Sequence, residues 1–195
     1  MLAQVFQILV KNLNAYFNNM QAMDIDSQSA VIKLLQQEGD QEAIKFPLNK
    51  VTPLLINIEE EGHLRTGDRF SRISVNGSRE TGFPDIRLNL YILFVCHFQE
   101  YVDALNYLSL IVRYFQSYPV LDHQNTPELN ENIDKLIVEL KTIPLAEQNE
   151  VWNALRSAYR PSLLYRVRMV VFEAPASLTA PGEIVAVQPI TGNFK

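Results

Sequence analysis

The sequence of 195 residues is poor in cysteine, histidine and glycine, and this scarcity argues against several classes of protein. Its single cysteine, Cys96, cannot form an internal disulfide and lies in an apolar stretch, so we expect a buried core residue and synthesis in a reducing compartment. No second pair of cysteine and histidine supplies ligands at the spacing of a zinc site. Glycine-rich phosphate-binding motifs and the nucleophile elbow of hydrolases are absent as well. These absences predict a protein without a metal, a cofactor or a catalytic centre.

Strong positive charge and apolar runs long enough to span a membrane are also missing. Lys and Arg number 17 against 22 Asp and Glu, and the formal net charge of -5 argues against a large nucleic-acid surface. No run approaches the roughly 18 apolar residues that a membrane span requires. The N-terminal stretch lacks both a basic region and a small-residue cleavage site. We therefore expect a cytosolic product without a signal peptide, a membrane or a nucleic-acid partner.

What the sequence does contain is one long apolar stretch followed by a helical pattern. Leu88–Phe98 is apolar in both alternating registers, which predicts a buried central strand. Tyr101–Tyr118 carries apolar residues at helical spacing, which predicts an amphipathic helix that covers this strand. The predicted buried face of this helix consists of Val102, Leu105, Leu108, Val112 and Phe115.

The remaining periodicity predicts further helices and strands around this unit, in an α+β fold. Helices are predicted over Leu2–Met20, with Leu2, Val5, Phe6, Leu9, Leu13 and Phe17 as its stripe, and over Leu145–Ala158, with Val151, Trp152 and Leu155 buried. Strands are predicted over Thr52–Glu61, Lys135–Ile143 and Ser162–Phe172. In the first of these, alternation places Leu54, Ile56 and Ile58 on one face; in the second it places Leu136, Val138 and Leu140 inward. Ala30–Gln37 permits a strand or a short helix, and the following Gly39-Asp40 turn favours the strand.

Two segments outside these elements have the composition of contact regions. Residues 62–84 are polar and rich in glycine, which predicts a long exposed loop or a protruding hairpin with its turn at Asn76-Gly77. Residues 173–195 contain three prolines and no helical period, so we expect an extended arm that is separate from the domain over residues 1–172. Within this arm, residues 183–187 have the pattern of a strand that pairs with a sheet edge. The arm lies on this protein or reaches another one.

Three groups of polar and aromatic residues are candidate sites. The carboxylates of residues 59–61 with His63 suggest a metal or acid–base site, but neighbours on a strand point to alternate faces, which favours a solvated strand end. Arg166 and Arg168 are predicted along one edge of the domain, either paired with carboxylates or in contact with another protein. The tyrosines of the central helix suit a contact surface, although their helical spacing favours partial burial: Tyr101, Tyr107, Tyr114 and Tyr118.

Four separated blocks of the chain resemble the cap, or tail-terminator, proteins of phage-tail-like extracellular contractile injection systems. In chain order the blocks are Asn57–Arg65, Leu88–Gln116, Asn125–Pro127 and Val151–Val170. They lie within residues 1–172 in the same order as in that family. The chain departs from the family at Leu155–Tyr159, where it has no glycine or lysine before the tyrosine.

The resemblance implies a structural protein rather than an enzyme, with a mixed, largely antiparallel sheet flanked by helices. It implies a hexameric ring that ends the inner tube and anchors the sheath of a particle assembled in the bacterial cytoplasm. The implied partners are further copies of the chain, the inner tube protein and the sheath protein. The candidate contact residues are Arg65, Arg69, Arg72, Arg79, Arg166, Arg168, Glu183, Ile184, Val185, Ala186 and Val187. The alternative is an assembly adaptor or chaperone that binds one partner as a monomer.

Overall fold

A computed structural model describes residues 2–21, 30–35, 44–61, 71–73, 79–81 and 86–172. In chain order the elements are α1 (Leu2–Gln21), β1 (Lys50–Glu60), β2 (Ser71–Ile73), β3 (Arg79–Thr81), β4 (Ile86–His97), α2 (Tyr101–Ser117), β5 (Val120–Asp122), β6 (Lys135–Lys141), α3 (Leu145–Ala154) and β7 (Ser162–Phe172). Five strands form one antiparallel sheet in the order β1-β4-β7-β6-β5, and β2 pairs with β3 in a separate hairpin. The predicted α+β class, with a largely antiparallel sheet and helices, is confirmed. The predicted arm, residues 173–195, lies outside the described residues.

The larger core lies between one face of the sheet and the helices α1 and α2. Alternate residues of β4 are almost completely buried in it: Leu90, Ile92, Phe94 and Cys96. Four residues of the predicted α1 stripe are buried as well: Val5, Leu9, Leu13 and Phe17. The rings of Phe94, Phe115 and Tyr165 contact one another, with centroid separations of 4.8 to 5.8 Å, and join β4, α2 and β7. Each fully buried side chain of this size stabilises the fold by about 1.5–3 kcal/mol.

The apolar strand β4 is internal, as predicted, but it is not the middle strand of the sheet. β4 pairs with β1 on one side and with β7 on the other. The middle position belongs to β7, which lies between β4 and β6. An internal strand with both neighbours in place needs apolar residues on both faces wherever both faces are covered. The apolar pattern of β4 therefore predicted an internal strand. Only the pairing of the strands decided its position in the strand order of the sheet.

The predicted buried face of α2 is wrong for three of its five residues. Val102, Leu105 and Val112 are 65%, 44% and 36% exposed. The buried residues of the helix are instead Ala104, Ile111, Tyr114 and Phe115. α2 is apolar on more than one side, so its periodicity permits two faces, and packing against α1 and β4 selected the one that carries Ile111 and Tyr114. The three exposed residues form an apolar surface that faces away from the core.

The predicted alternation of β1 is correct for Leu54 and Ile56 and wrong from Asn57 onward, because the strand contains a β-bulge between Leu55 and Asn57. Leu54 pairs with Leu93 on one face of the sheet, whereas Ile58 pairs with Leu90, a residue of the other face. A bulge adds one residue to a strand and therefore reverses the direction of every later side chain. As a consequence, Asn57 and the residues at alternate positions after it point to the face opposite α1 and α2.

Residues 30–35 form neither a helix nor a full strand. Ile32 makes a single parallel bridge to Val51, supported by 3.0 Å hydrogen bonds from the Lys33 N–H to the Val51 carbonyl and from the Val51 N–H to the Val31 carbonyl. The side chain of Asn14 holds this segment against α1. Its Nδ2 donates to the Ile32 carbonyl over 3.0 Å, and its Oδ1 accepts from the Ile32 N–H over 2.9 Å.

Several predicted boundaries and faces change slightly. β6 ends at Lys141, and Leu140 is half exposed rather than inward, whereas Leu136 and Val138 are buried as predicted. α3 ends at Ala154 rather than Ala158, since Arg156 takes a φ of 48° in the left-handed region, where a helix stops. The predicted hairpin within residues 62–84 is confirmed as β2 and β3, and its turn lies outside the described residues. In the described ranges no helix is long and apolar enough to cross a membrane.

Candidate functional site

The face of the sheet opposite α1 and α2 is covered at one end only. There α3 places Trp152 against Leu93, Val95 and Leu164, and Phe46 contacts Trp152 with a centroid separation of 6.1 Å. Trp152 is buried as predicted, while Val151 and Leu155 are half-buried beside it. The other end of this face carries polar and charged side chains. It is the part of the described structure in which ionisable groups from several strands meet.

Five side chains from four adjacent strands make up a cross-strand network, here called the polar row: Glu59, Tyr91, Glu139, Arg166 and Arg168. The register of the sheet brings them together, because Tyr91 pairs with Arg166 and Arg166 pairs with Glu139. The bulge in β1 turns Glu59 to the same face, where it meets Tyr91. Directly opposite residues on one face of an antiparallel pair have Cβ atoms about 5 Å apart, which is close enough for such contacts.

Glu139 is the centre of the polar row. Its carboxylate accepts a 3.1 Å hydrogen bond from Arg166 Nε, and it also accepts bonds from the terminal nitrogens of Arg166 and Arg168. The hydrogen bonds from Arg166 and then from Arg168 hold the pKa of the Glu139 carboxyl below its ordinary value. The hydrogen bond to Glu139 in turn raises the pKa of the Arg166 guanidinium. Both arginines are thus paired with a carboxylate, which is one of the two alternatives that the sequence left open.

The carboxylates of β1 bind neighbouring side chains rather than converging on one point. Tyr91 donates its hydroxyl to Glu59 over 2.8 Å, and this bond is the main reason why the pKa of Tyr91 is raised. Asn89 Nδ2 donates to Glu61 over 3.0 Å. In the described ranges no group of three or more histidine, cysteine, aspartate or glutamate side chains is placed to hold a metal ion.

A cleft of about 580 Å³ lies beside the polar row, between α3 and the strands β1 and β4. Its floor is apolar and includes Ile56, Val151 and Leu164, while Glu59 and Glu147 lie among its charged lining residues. An apolar floor with a few charged groups at its margin is the usual composition of a protein contact site. The cleft and the polar row are adjacent, because Glu59 and Tyr91 belong to both.

The candidate contact residues lie in different parts of the fold. Arg166 and Arg168 are on the middle strand β7, so the predicted location along an edge of the domain is wrong. Arg72 and Arg79 belong to the β2–β3 hairpin, opposite Glu80 and Ile73 respectively. The others lie outside the described residues: Arg65, Arg69, Glu183, Ile184, Val185, Ala186 and Val187. Their role in contacts stays a prediction.

Sequence analysis missed the members of the polar row on β4 and β6. The available signal was that Asn89 and Tyr91 interrupt the apolar run of β4 in one register only. That interruption indicates a face that is covered at one end and open at the other. Glu139 carries no comparable signal, because an exposed glutamate on a strand is ordinary and its two arginine partners are set by the pairing of β6 with β7.

The chain is similar to one family of known proteins and to one solved structure. Among solved structures, the chain is similar to a cryo-EM structure of an extracellular contractile injection system, the PVC sheath/tube terminator in the extended state, at 16% identity and a TM-score of 0.49. The alignment covers 95% of this chain and 64% of that one, so this chain spans less than two thirds of its length. No curated protein matches the chain. Residues 4–185 match the family described as the Pvc16 N-terminal domain, and the protein therefore belongs to that family.

Proposed function

We propose that this protein is a structural cap, or tail terminator, of a contractile injection particle, and that it is not an enzyme. In this role a hexameric ring of copies ends the inner tube and anchors the sheath. The observation that carries the proposal is the family membership over residues 4–185. The four sequence blocks that resemble cap proteins support the same role.

A closed ring requires two different surfaces on each subunit that match each other. The cleft beside the polar row is our candidate for one of them, because it combines an apolar floor with charged margins. The β2–β3 hairpin, with Arg72 and Arg79, is our candidate for contact with the tube or with the neighbouring subunit. The arm over residues 173–195 is our candidate for contact with the sheath protein, in which residues 183–187 would add a strand to its sheet.

The deciding experiment measures the mass of the purified protein by light scattering, before and after addition of the cognate inner-tube protein. We expect six subunits per tube end, which electron microscopy of capped tubes would count directly. A strict monomer that ignores the tube would refute the ring and favour the adaptor. Deletion of residues 173–195 tests the arm separately: we expect an intact fold by circular dichroism together with lost sheath attachment. Normal capping of sheaths by the truncated protein would refute the role of the arm.

A further inference from the structure

Two depressions adjoin each other on the α3 side of the sheet. The cleft of about 580 Å³ described above and a second depression of about 210 Å³ share the lining residues Ile56, Lys141, Ile143, Val151 and Leu164. We call the two together the sheet groove. All but one of the shared residues are apolar, and the buried side chain of the tryptophan of α3 lines the second depression. A groove of this volume with an apolar floor suits the binding of a short peptide segment.

The same side of the sheet holds the buried polar atoms that lack a hydrogen-bond partner. In the described ranges these atoms are Thr52 Oγ1, Asn89 Oδ1, Trp152 Nε1 and Arg168 Nε. Thr52 pairs with Val95, which packs in the cluster around Trp152. Asn89 pairs with Arg168, which belongs to the polar row. Native proteins satisfy nearly all buried polar atoms, so the α3 side is the side of the sheet that a further segment would complete.

Lys141 gives the sheet groove an unpaired positive charge. The residue lines both depressions and is half-buried. It forms no ion pair with another residue of the described ranges. Of the two carboxylates that line the cleft, Glu147 is exposed to water and Glu59 accepts a hydrogen bond from Tyr91. A charge that is partly removed from water gains more from an opposite charge than an exposed one does, so the groove favours an apolar segment that carries an acidic residue.

Residues 183–187 have this composition. Glu183 is followed directly by Ile184, Val185, Ala186 and Val187, which is the longest uninterrupted apolar run within residues 173–195. Alternate side chains of an extended segment point to opposite sides, so both sides of this segment are apolar. The one charge of the segment is opposite in sign to that of Lys141.

The chain between β7 and this segment is long enough to reach the sheet groove of the same subunit. β7 ends at Phe172, eight positions beyond Leu164, which lines the groove. At about 3.3 Å per residue these positions correspond to about 26 Å along the sheet. Residues 173–182 span up to about 33 Å when extended, and the Pro181-Gly182 pair directly before Glu183 suits a change of direction. Their path lies over the half of this face that α3 leaves uncovered.

We infer that residues 183–187 bind in the sheet groove of their own chain, with their apolar side chains on its floor and Glu183 beside Lys141. This contact belongs to the free subunit and does not rest on the proposed cap function. In the cap role the same residues cannot pair with the sheath protein while they lie in the groove, so sheath attachment requires their release. The bound segment also covers the cleft that is our candidate for ring contacts.

A pair of introduced cysteines tests the contact in the full chain, without tube or sheath protein. Cys96 is the single natural cysteine and is buried, so it does not compete. Glu147→Cys combined with Val185→Cys places one thiol at the margin of the groove and one in the segment. Asn149→Cys combined with Val185→Cys is the matched control, because Asn149 is exposed on α3 and does not line the groove. We expect a disulfide within one chain to form at least about tenfold faster in the first pair, since binding raises the local concentration of the two thiols.

The mass of the product shows which chain supplies the segment. A disulfide within a monomer of 22.3 kDa supports the inference. A disulfide that joins two chains, at a rate that rises with protein concentration, would show that the groove takes the segment of a second copy and would overturn the inference. Equal rates for the two cysteine pairs would overturn it as well. The capping experiment above gives a separate result, because a protein that caps no tube can still hold this segment in its groove.

Charge exchange provides a second test that needs no cysteine. Lys141→Glu places two carboxylates together and should weaken the contact, whereas Lys141→Glu combined with Glu183→Lys restores opposite charges. Acrylamide quenching of the single tryptophan, Trp152, which lines the groove, measures how far the groove is covered. We expect stronger quenching for Lys141→Glu and for Val185→Asp, and wild-type quenching for the charge-exchanged double variant and for the control Ser177→Asp. Equal quenching in all of these proteins would refute the contact.

Discussion

Replacing Glu139 by glutamine removes the charge on which the polar row converges. In the wild type the carboxylate accepts hydrogen bonds from both Arg166 and Arg168. The variant keeps the shape of the side chain but leaves two guanidinium groups, two residues apart on one strand face, without their anion. The perturbation is therefore electrostatic, and the apolar core is unchanged.

The expected loss follows from the exposure of the pair. Truncating one partner of a buried, charged hydrogen bond costs about 1.5–3 kcal/mol, whereas an exposed ion pair contributes about 0.2–1 kcal/mol. The Glu139 side chain is 32% exposed and those of its partners 24% and 36%, so the pair lies between these limits. We expect Glu139→Gln to lower the free energy of unfolding by about 1–1.5 kcal/mol at neutral pH.

The pH dependence distinguishes this cause from lost packing. The pKa of Glu139 is lowered in the folded state, so the carboxylate stabilises the fold above its ordinary pKa of about 4.3, and this stabilisation is lost as pH falls through the lowered value. The difference between wild type and variant should therefore shrink in acid. Urea unfolding, monitored by the fluorescence of the single tryptophan Trp152, measures this difference in the free energy of unfolding at each pH. Glu150→Gln, at an exposed position on α3, is the control. The reasoning is refuted if both variants lose equal stability, or if the difference persists at low pH.

Three further predictions concern the core. Asn14→Ala removes both hydrogen bonds to Ile32, so two backbone groups lose their partner and the free energy of unfolding in urea should fall by about 2 kcal/mol. Asn14→Asp keeps the acceptor and should lower the free energy of unfolding by less. Ile111→Ala should lower the free energy of unfolding by about 2–5 kcal/mol, whereas Val102→Ala on the exposed side of α2 should change it by at most about 0.5 kcal/mol. Similar losses in the two variants would contradict the assignment of Ile111 to the buried face of α2. Burial raises the pKa of the Cys96 thiol to about 12, so a maleimide should label it only after unfolding, and rapid labelling of the folded protein would contradict its burial.

The sequence by itself determined the kinds of element and most of their positions. The strands β4 and β7 and the helices α1 and α2 were predicted within a few residues, because their patterns depend on neighbours along the chain. For residues 62–84 the sequence permitted a long loop or a hairpin, and the pairing of β2 with β3 agrees with the hairpin. The resemblance of four sequence blocks to a known family was visible before folding, and a family match over residues 4–185 is found as well.

Only the tertiary structure decided which faces of these elements meet. Periodicity permitted two buried faces on α2, and packing against α1 and β4 selected the one that leaves Val102 and Leu105 exposed. The bulge of β1 and the position of β7 in the middle of the sheet arise from pairing between distant strands, and they bring Glu59 and Glu139 into one network. Such contacts depend on the strand order and register of the whole sheet, which no local pattern contains. For that reason the sequence could indicate the scaffold, whereas the polar row and the exposed apolar side of α2 became visible only in the folded chain.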